Sequence, residues 1–252
     1  MRDGLGRVHS VLVIGGSSEI GSAIADRLLD GGGAALLAGR DPERLATAAR
    51  RLHRPGRPVS ILPYHASYTA VQMAGLLRDA HRRIGDIDVV VLAVGELADE
   101  SANRWDTAAT RRSLVTNLLG PAVAAHAAAT DLAAQGHGCL VVLSSAAAAR
   151  PRDALLAYAA AKRGLDAFAR GLDRRLAGTG ARVLVVRPGH VLTRMTDGLR
   201  PPPLWVSPDD VADAVVRGVA RGAAVAWVPR ALPAVLAALW LTPRRLLPAG
   251  LR

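Results

Sequence analysis

Residues 11–21 read VLVIGGSSEIG, and this short stretch decides the fold. Four uninterrupted apolar residues are typical of a strand covered on both faces of a sheet, and the glycines after them predict a turn into a helix. Such a turn presents backbone N–H groups and a helix N-terminus, which together bind the pyrophosphate of a dinucleotide. Gly15 would permit the tight turn, and Gly21 would let the helix pack closely on the strand. The alternative is an ordinary strand–helix turn without a ligand.

The rest of the chain repeats this alternation of strand-length apolar runs and helix-length segments. We expect strands over 11–14, 34–38, 59–62, 89–92, 140–143, 183–186 and 224–228, and helices over 20–30, 42–53, 70–83, 104–135, 155–177 and 208–221. Alternating strands and helices with right-handed crossovers build a parallel sheet with helices on both faces. The sequence therefore predicts a Rossmann-type, doubly wound α/β fold of about seven strands. We expect a single domain over residues 1–252, with an apolar and basic tail at 229–252.

Composition excludes several classes of protein. With 252 residues of which 50% are hydrophobic, the chain is long and apolar enough for one buried core and is not disordered. Cys139 is the only cysteine, which excludes a disulfide framework and favours a reducing compartment. Residues 1–7 have no apolar core of a signal peptide, and no apolar run reaches the roughly 18 residues of a membrane span. We expect a cytoplasmic protein.

The net charge of +11 limits the partners rather than the fold. An anionic membrane surface, a phosphorylated substrate and nucleic acid all suit a basic protein. Aromatic residues make up only 3% of the chain and do not interleave with basic runs, so a stacking platform for nucleic acid is not expected. We also predict no metal site.

The end of the second predicted strand bears on cofactor choice. It reads Ala38-Gly39-Arg40-Asp41. An acid at the strand terminus would bind the ribose 2′-hydroxyl of NAD, whereas a glycine followed by arginine leaves room and positive charge for a 2′-phosphate. We therefore expect NADP(H) to be favoured over NAD(H). The alternative is that Arg40 merely begins a solvated helix end.

Tyr158 and Lys162 form the most suggestive pair of side chains. Their i,i+4 spacing in a predicted helix places phenol and ammonium on one face. A tyrosine has an ordinary pKa of about 10, and a neighbouring ammonium lowers the pKa, which would make Tyr158 a usable general acid or base. Lys162 is also the only lysine in a chain that otherwise uses arginine. A surface pair is the alternative.

Three further segments reach the same edge of the predicted sheet. Ser145 closes the fifth strand, where its hydroxyl could donate to a substrate carbonyl, or could simply cap the strand end. Asn117 lies in an otherwise apolar helix, where it serves either a bound water or the core. The segment RPGHVLT, residues 187–193, follows the sixth strand and would form the wall beside a nicotinamide.

Together these elements resemble the short-chain dehydrogenase/reductase family over roughly residues 10–228. The resemblance implies a catalytic tetrad of Asn117, Ser145, Tyr158 and Lys162, in which the tyrosine protonates the carbonyl oxygen while a nicotinamide delivers hydride. It implies that the serine polarises the carbonyl, the lysine holds the ribose and lowers the tyrosine pKa, and the asparagine anchors a water of the proton relay. The implied cofactor-binding residues are Gly15, Ser17, Ser18, Glu19, Ile20, Gly21, Arg40, Gly95, Tyr158, Lys162, Pro188, Gly189, Val191 and Thr193.

Three positions depart from the pattern of the family. Glu19 replaces the middle glycine of the turn. Residues 92–95 read LAVG where the family often has Asn-Asn-Ala-Gly, so only Gly95 is retained. His65-Ala66 stands where an aspartate normally contacts adenine. These departures affect the turn and the adenosine contacts but leave the tetrad complete.

A narrower resemblance is to the reductases of decaprenylphosphoryl-2-keto-erythro-pentose in arabinan synthesis for the cell wall. It implies reduction of the 2-keto group of a polyprenyl-phospho-pentose to the arabinose epimer, beside an oxidase partner. The uncharged stretch 231–243 is too short to span a bilayer but suits an interfacial helix, with Trp240 near its end and Arg244-Arg245 beyond. We expect a location at the inner face of the plasma membrane.

Other interpretations stay open. The tail could instead fold over the sheet or form the interface of a homo-oligomer. The alternative substrate is a soluble ketone or sugar of secondary metabolism. A non-enzymatic NADP-binding regulator is a third possibility, against which the intact Tyr158 and Lys162 argue.

Overall fold

All seven predicted strands pair in one sheet. The computed structural model describes residues 7–97, 105–149, 155–199 and 203–242. The strands are β1 (Ser10–Ile14), β2 (Ala34–Gly39), β3 (Val59–Pro63), β4 (Val89–Leu92), β5 (Gly138–Leu143), β6 (Ala181–Pro188) and β7 (Val225–Val228). Every pairing is parallel, and the order across the sheet is β3-β2-β1-β4-β5-β6-β7. The predicted Rossmann-type α/β fold is confirmed.

Helices cover both faces of this sheet. They are α1 (Glu19–Leu28), α2 (Pro42–Leu52), α3 (Ala70–Ile84), α4 (Thr107–Leu114), α5 (Gly120–Gln135), α6 (Leu156–Arg175), α7 (Pro208–Arg221) and α8 (Leu232–Leu241). Successive residues of a strand point to opposite faces. Accordingly, Val11 and Val13 of β1 pack in a cluster with α1, α2 and α7, whereas Leu12 and Ile14 pack with α3, α5 and α6.

The order in which strands are added to the sheet reverses at its centre, between β1 and β4. The crossovers from β1 to β3 run towards one edge, and the strands from β4 onward extend towards the other. Ligands of such sheets bind in the crevice at the carboxyl ends of the strands where the order reverses. The carboxyl ends of β1, β4 and β5 meet at that crevice, so we expect the site residues to follow these three strands.

Two elements differ from the sequence prediction. The long helix expected over 104–135 is α4 and α5 joined by a π-helical turn at Val115–Leu119, and α4 begins only after its N-cap Asp106. The strand β3 is only half-covered, with Val59 and Ser60 partly exposed, because it is the edge strand of the sheet that the described residues form. The predicted tail helix is present as α8. Within the described ranges, no helix is both long enough and apolar enough to cross a bilayer.

Candidate active site

Glycines in the turn between β1 and α1 and at the start of α1 stand where a Cβ has no room. Gly15 has φ +93°, and a Cβ there would lie 2.7 Å from the carbonyl carbon of Ala93. A Cβ on Gly21 would lie 2.9 Å from Cγ1 of Val13, so this residue brings α1 close to the sheet. The amides of Gly15 and Gly16 both donate to the carbonyl oxygen of Ala38 at 2.8 Å, which ties the turn to β2.

The N-terminus of α1 faces this turn. Ser18 is its N-cap, and its hydroxyl oxygen accepts from the amide of Gly21 at 3.2 Å. Glu19 and Ile20 begin the helix. The first N–H groups of a helix have no acceptor within the helix, so they are available to an anion.

At the end of β2, the two residues after Gly39 have different surroundings. Asp41 caps α2: its carboxylate accepts from the amides of Glu43 and Arg44, both at 3.1 Å, and lies 3.2 Å from the guanidinium of Arg44. Arg40 is exposed. The acid near the strand terminus is therefore held by α2, while the neighbouring arginine side chain is open to solvent.

Lys162 is buried beneath the ends of β4 and β5. Its side chain lies in α6, only 4% of the residue is exposed, and Nζ donates to the carbonyl oxygens of Val94 (3.2 Å) and Leu143 (3.1 Å). Nζ also lies 5.9 Å from the centroid of the Tyr158 ring. Burial lowers the pKa of Lys162 to about 8 because the charged form is poorly solvated.

Tyr158 corrects one expectation of the sequence. We expected Lys162 to lower the pKa of the phenol, and this was wrong, because the pKa of Tyr158 is raised. Burial raises the pKa of Tyr158, and a hydrogen bond with Ser145 only partly opposes that effect. The phenol is therefore protonated near neutrality, which is the form that can donate a proton.

Ser145 serves two neighbours at once. Its oxygen accepts from the amide of Ala147 at 3.1 Å and so caps the 3₁₀ turn Ala146–Ala148. The same side chain hydrogen-bonds with Tyr158. Ser145 therefore caps the end of the strand, as one alternative predicted, and also contacts Tyr158.

Asn117 sits in the π-helical turn and is fully buried. Its Oδ1 accepts from the amide of Glu96 at 2.9 Å, and its Nδ2 donates to the carbonyl oxygen of Glu96 (3.0 Å) and to Oγ of Ser113 (3.3 Å). A Cβ on Gly95 would lie 3.3 Å from both Oδ1 of Asn117 and Nζ of Lys162. Gly95 therefore leaves space between these two predicted site residues.

The segment after β6 forms a wall at the same edge. The amide of Gly189 donates to the carbonyl oxygen of Val228 at 2.8 Å, and Val191 is buried and bridges to Val206. The amide of Thr193 donates to Oγ1 of Thr196 at 3.2 Å. These bonds hold the wall to β7 and to the segment before α7.

His65 and Ala66, which stand where the family has an aspartate that contacts adenine, contact neighbouring residues of this chain. His65 is exposed, and its Nδ1 lies 2.8 Å from Oγ of Ser67. Ala66 packs against α5, where a Cβ on Gly120 would lie 2.3 Å from its carbonyl oxygen.

Sequence reasoning missed a buried ion pair beside the site. Asp166 is 5% exposed and forms a bidentate pair with Arg187, at 2.7 Å to Nε and 2.8 Å to Nη2. Arg170 adds a bond of 3.0 Å, and the guanidinium of Arg187 lies 4.8 Å from the Trp227 ring. Burial alone would raise the pKa of Asp166, but the hydrogen bonds and charge of Arg187 outweigh it and lower the pKa.

The spacing contained a signal for this pair. Asp166 follows Lys162 by one helical turn on the same face, and Arg187 directly precedes Pro188. The pair therefore links the helix that carries Tyr158 and Lys162 to the strand that begins the wall.

A second missed residue is Arg194, in the 3₁₀ turn Arg194–Thr196. Its amide donates to Oε2 of Glu19 at 2.8 Å, and its Nη2 donates to the carbonyl oxygen of Ser17 at 3.2 Å. These contacts join the wall to the glycine turn.

The fold and the site define a nucleotide-dependent oxidoreductase, and comparison with known proteins gives the family. Residues 9–203 match the short chain dehydrogenase family. The chain belongs to that family and is an NAD(P)-dependent oxidoreductase.

Relatives by sequence extend over almost the whole chain. An uncharacterized oxidoreductase of Mycobacterium tuberculosis H37Rv is 38% identical over 93% of this chain and 94% of the relative. An uncharacterized oxidoreductase of Streptomyces coelicolor is 39% identical over 97% of each chain. The names of these two relatives state no substrate.

Solved structures share the fold at lower identity. Actinorhodin polyketide ketoreductase with NADPH superposes with a TM-score of 0.78 at 24% identity, covering 89% of this chain and 97% of that chain. Gluconate 5-dehydrogenase from Burkholderia cenocepacia, with NADP and tartrate, has a TM-score of 0.79 at 21% identity, covering 90% and 96%. These likenesses concern the fold.

Proposed function

We propose that the protein reduces a ketone with NADPH, and that Tyr158 supplies the proton. One observation carries this proposal: a half-buried phenol, with its pKa raised, is hydrogen-bonded to Ser145 and lies 5.9 Å from the buried ammonium of Lys162. A protonated phenol suits reduction, in which the carbonyl oxygen must gain a proton.

The residues present fit a nicotinamide dinucleotide. A Cβ at Gly15 would collide with the backbone of Ala93, and one at Gly21 with Val13, so these glycines allow the tight turn and the close packing of α1, whose first N–H groups suit a pyrophosphate. A Cβ at Gly95 would crowd the ammonium of Lys162 at 3.3 Å. In this assignment the turn residues Ser17, Ser18, Glu19 and Ile20 border the pyrophosphate, and Pro188, Gly189, Val191 and Thr193 border the nicotinamide.

When bound, NADPH supplies the hydride, and the side chains of this chain supply the rest. Tyr158 donates its proton to the carbonyl oxygen as negative charge develops there. Ser145 donates a hydrogen bond to the same oxygen and stabilises that charge. Lys162, held by two carbonyl oxygens, orients the ribose. Asn117, held by hydrogen bonds to the backbone of Glu96, anchors the water of the proton relay.

NADPH is favoured over NADH in this proposal. The exposed Arg40 follows Gly39, and the nearby carboxylate of Asp41 is occupied by α2 and Arg44. A guanidinium forms strong bidentate hydrogen bonds with phosphate, so Arg40 suits the 2′-phosphate.

The proposed substrate is an amphiphilic keto-sugar, the 2-keto form of a polyprenyl-phospho-pentose. The end of the wall and the segment after it carry exposed apolar side chains: Leu192, Met195, Leu199, Leu204 and Trp205. Helix α8 continues this surface, because a Cβ on Gly189 would lie 3.0 Å from Leu232 and 3.9 Å from the carbonyl oxygen of Leu204. We call the five residues and α8 the apolar platform.

The apolar platform suits an anionic membrane surface that carries such a substrate. Helix α8 reads LPAVLAALWL, and Leu241 is 85% exposed. Arg230 precedes the helix, and the chain has a net charge of +11. Apolar side chains bordered by arginine bind at the boundary between headgroups and acyl chains, and the positive charge favours anionic lipid. Arg244 and Arg245, which we included in the expected interfacial segment, lie outside the described residues.

Two partners follow from the same proposal. An oxidase that produces the 2-keto sugar would have to act immediately before this reductase. A second copy of the chain is the other candidate to cover α8, which would make the apolar platform part of a homo-oligomer.

Two measurements test the proposal. NADPH oxidation is followed with a polyprenyl-phospho-2-keto-pentose and with a panel of soluble ketones and sugars. If no compound is reduced, the reductase assignment is overturned. If only soluble ketones or sugars are reduced, the proposal of a lipid-linked substrate is overturned in favour of a soluble one.

Membrane binding is tested by sedimentation with vesicles containing anionic lipid. We expect the wild type to sediment and a Val235→Asp, Leu241→Asp variant to remain in the supernatant. Val71→Asp is the matched control, because Val71 is an exposed apolar residue on α3. Equal sedimentation of both variants, or none by the wild type, would exclude the platform as a membrane-binding surface.

A further inference from the structure

Glu19 places a carboxylate at the glycine turn, where the resemblance to the family predicts a glycine. It is the first residue of α1, directly after the N-cap Ser18. An acid in the first turn stabilises a helix through the macrodipole. The same carboxylate stands at the turn assigned to a pyrophosphate, and two anions at one helix N-terminus repel each other.

The structure pairs this carboxylate with Arg194. The amide of Arg194 donates to Oε2 of Glu19 at 2.8 Å, and the Nε of its guanidinium lies 3.5 Å from the same oxygen. The guanidinium also donates through Nη2 to the carbonyl oxygen of Ser17 at 3.2 Å. A residue 175 positions further along the chain therefore contacts two residues of the turn.

The pair remains accessible. The side chains of Glu19 and Arg194 are 34% and 61% exposed, and together with Ser17 they border a cavity of about 540 Å³ that extends along α1 and α2. An anion at the turn would approach from solvent with both charges close by.

We propose that Arg194 is a charge-compensating positioning residue of the cofactor site. Its guanidinium neutralises Glu19, so the turn keeps its affinity for a pyrophosphate although a carboxylate occupies it. Its backbone contact with Glu19 holds the segment after Thr193 against the turn. This inference rests on the proposed function, because it assumes that a dinucleotide binds at the turn.

A comparison within α1 separates this role from ordinary surface pairing. Arg27, in the last turn of the same helix, lies 3.4 Å from Asp213, and the two side chains are 46% and 43% exposed. Exposed ion pairs of this kind contribute little to stability. The two pairs differ in place: only the pair of Glu19 and Arg194 lies at the glycine turn.

The experiment measures dissociation constants by titration calorimetry on the full chain with two ligands. ADP-ribose 2′-phosphate contains the pyrophosphate, and 2′-AMP does not. We expect Arg194→Met to weaken binding of ADP-ribose 2′-phosphate about tenfold, because an uncompensated carboxylate then faces the ligand. Arg194→Met should change the dissociation constant of 2′-AMP by less than about twofold. The control Arg27→Met should change the dissociation constants of both ligands by less than about twofold.

The double variant Glu19→Gln, Arg194→Met decides the mechanism. Removing both charges should restore most of the lost affinity, because the repulsion is gone. Arg194→Lys, which keeps the positive charge, should also bind nearly as well as the wild type. Melting curves of each variant verify that the protein is folded.

Three outcomes would overturn the inference. They are equal binding of ADP-ribose 2′-phosphate by wild type and Arg194→Met, an equal loss for both ligands, and a double variant as weak as Arg194→Met. In each of these cases the wild type still binds ADP-ribose 2′-phosphate, so the proposed function survives. A wild type that binds neither ligand would instead overturn the proposed function, and this inference with it.

Discussion

The ammonium nitrogen of Lys162 lies 5.9 Å from the centroid of the Tyr158 ring and donates to the carbonyl oxygens of Val94 and Leu143. Leu143 is the last residue of β5 and Val94 follows β4 by two residues, so the lysine is held at the carboxyl edge of the sheet. Burial then acts on both groups: it lowers the pKa of Lys162 to about 8 and raises the pKa of Tyr158. In both cases the neutral form is favoured.

The first prediction concerns pH. Below pH 8 the buried ammonium of Lys162 is charged and favours binding of an anionic cofactor. As the pH rises through about 8 this lysine loses its proton, so the affinity for NADPH should fall by up to about tenfold per pH unit. Cofactor fluorescence between pH 7 and 9.5 measures the affinity. Lys162→Met should bind more weakly and show no break near pH 8; the same break in that variant would assign it to another group.

The second prediction concerns proton donation. Tyr158→Phe should lose about a thousandfold or more of the ketone-reduction rate, since general acid catalysis typically contributes 10²–10⁴-fold. Its affinity for NADPH should stay within about threefold of the wild type, because the ring remains. Single-turnover kinetics and cofactor titration measure the two quantities. Tyr68→Phe, which removes a hydroxyl bonded to the carbonyl oxygen of Pro63, is the matched control. A rate near that of the wild type would refute the assignment of Tyr158.

The third prediction concerns cofactor preference. Arg40→Ser should weaken NADPH binding about tenfold and leave NADH binding nearly unchanged, since a charge-assisted hydrogen bond contributes roughly 1.5–3 kcal/mol. Arg50→Ser is the control, because Arg50 is an exposed arginine of the same region that bonds to Thr47 within α2. An unchanged ratio of the two cofactor affinities in Arg40→Ser would show that Arg40 does not contact the 2′-phosphate.

The fourth prediction concerns stability. Arg187→Met leaves the carboxylate of Asp166 buried with Arg170 as its one remaining ionic partner among the described residues, and should cost about 3 kcal/mol of the free energy of unfolding at pH 7. Urea denaturation measures this cost. Asp213→Asn, which breaks the exposed pair with Arg27, should cost less than about 1 kcal/mol. Equal costs would mean that burial does not strengthen the Asp166 pair.

The same pair has a defined pH window. The pKa of Asp166 in the folded protein lies below its ordinary value of 3.8, so its contribution to stability is fully present above pH 3.8. That contribution is lost as the pH falls through the lowered folded pKa, because the unfolded chain then binds the proton first. The difference in stability between wild type and Asp166→Asn should therefore shrink on acidification below pH 3.8.

Much of the fold could be predicted because its signals are local. Apolar runs such as 11–14 and 89–92 coincide with β1 and β4, and the cap Ser207 and Pro208 begin α7 where expected. The break at Val115–Leu119 was not predicted, because the residues of this π-helical turn, VTNLL, are all residues that also occur in α-helices.

The amino-acid sequence alone determined the residue types of the site, since Tyr158 and Lys162 are one helical turn apart and Gly15 and Gly21 are six residues apart where β1 leads into α1. Only the tertiary structure decided the partners that come from distant segments: Asp166 meets Arg187 across 21 positions, and Glu19 meets Arg194 across 175. It also decided the direction of the pKa shift of Tyr158. Helical spacing is a property of consecutive residues, whereas burial and long-range ion pairs depend on how strands and helices from the whole chain pack together.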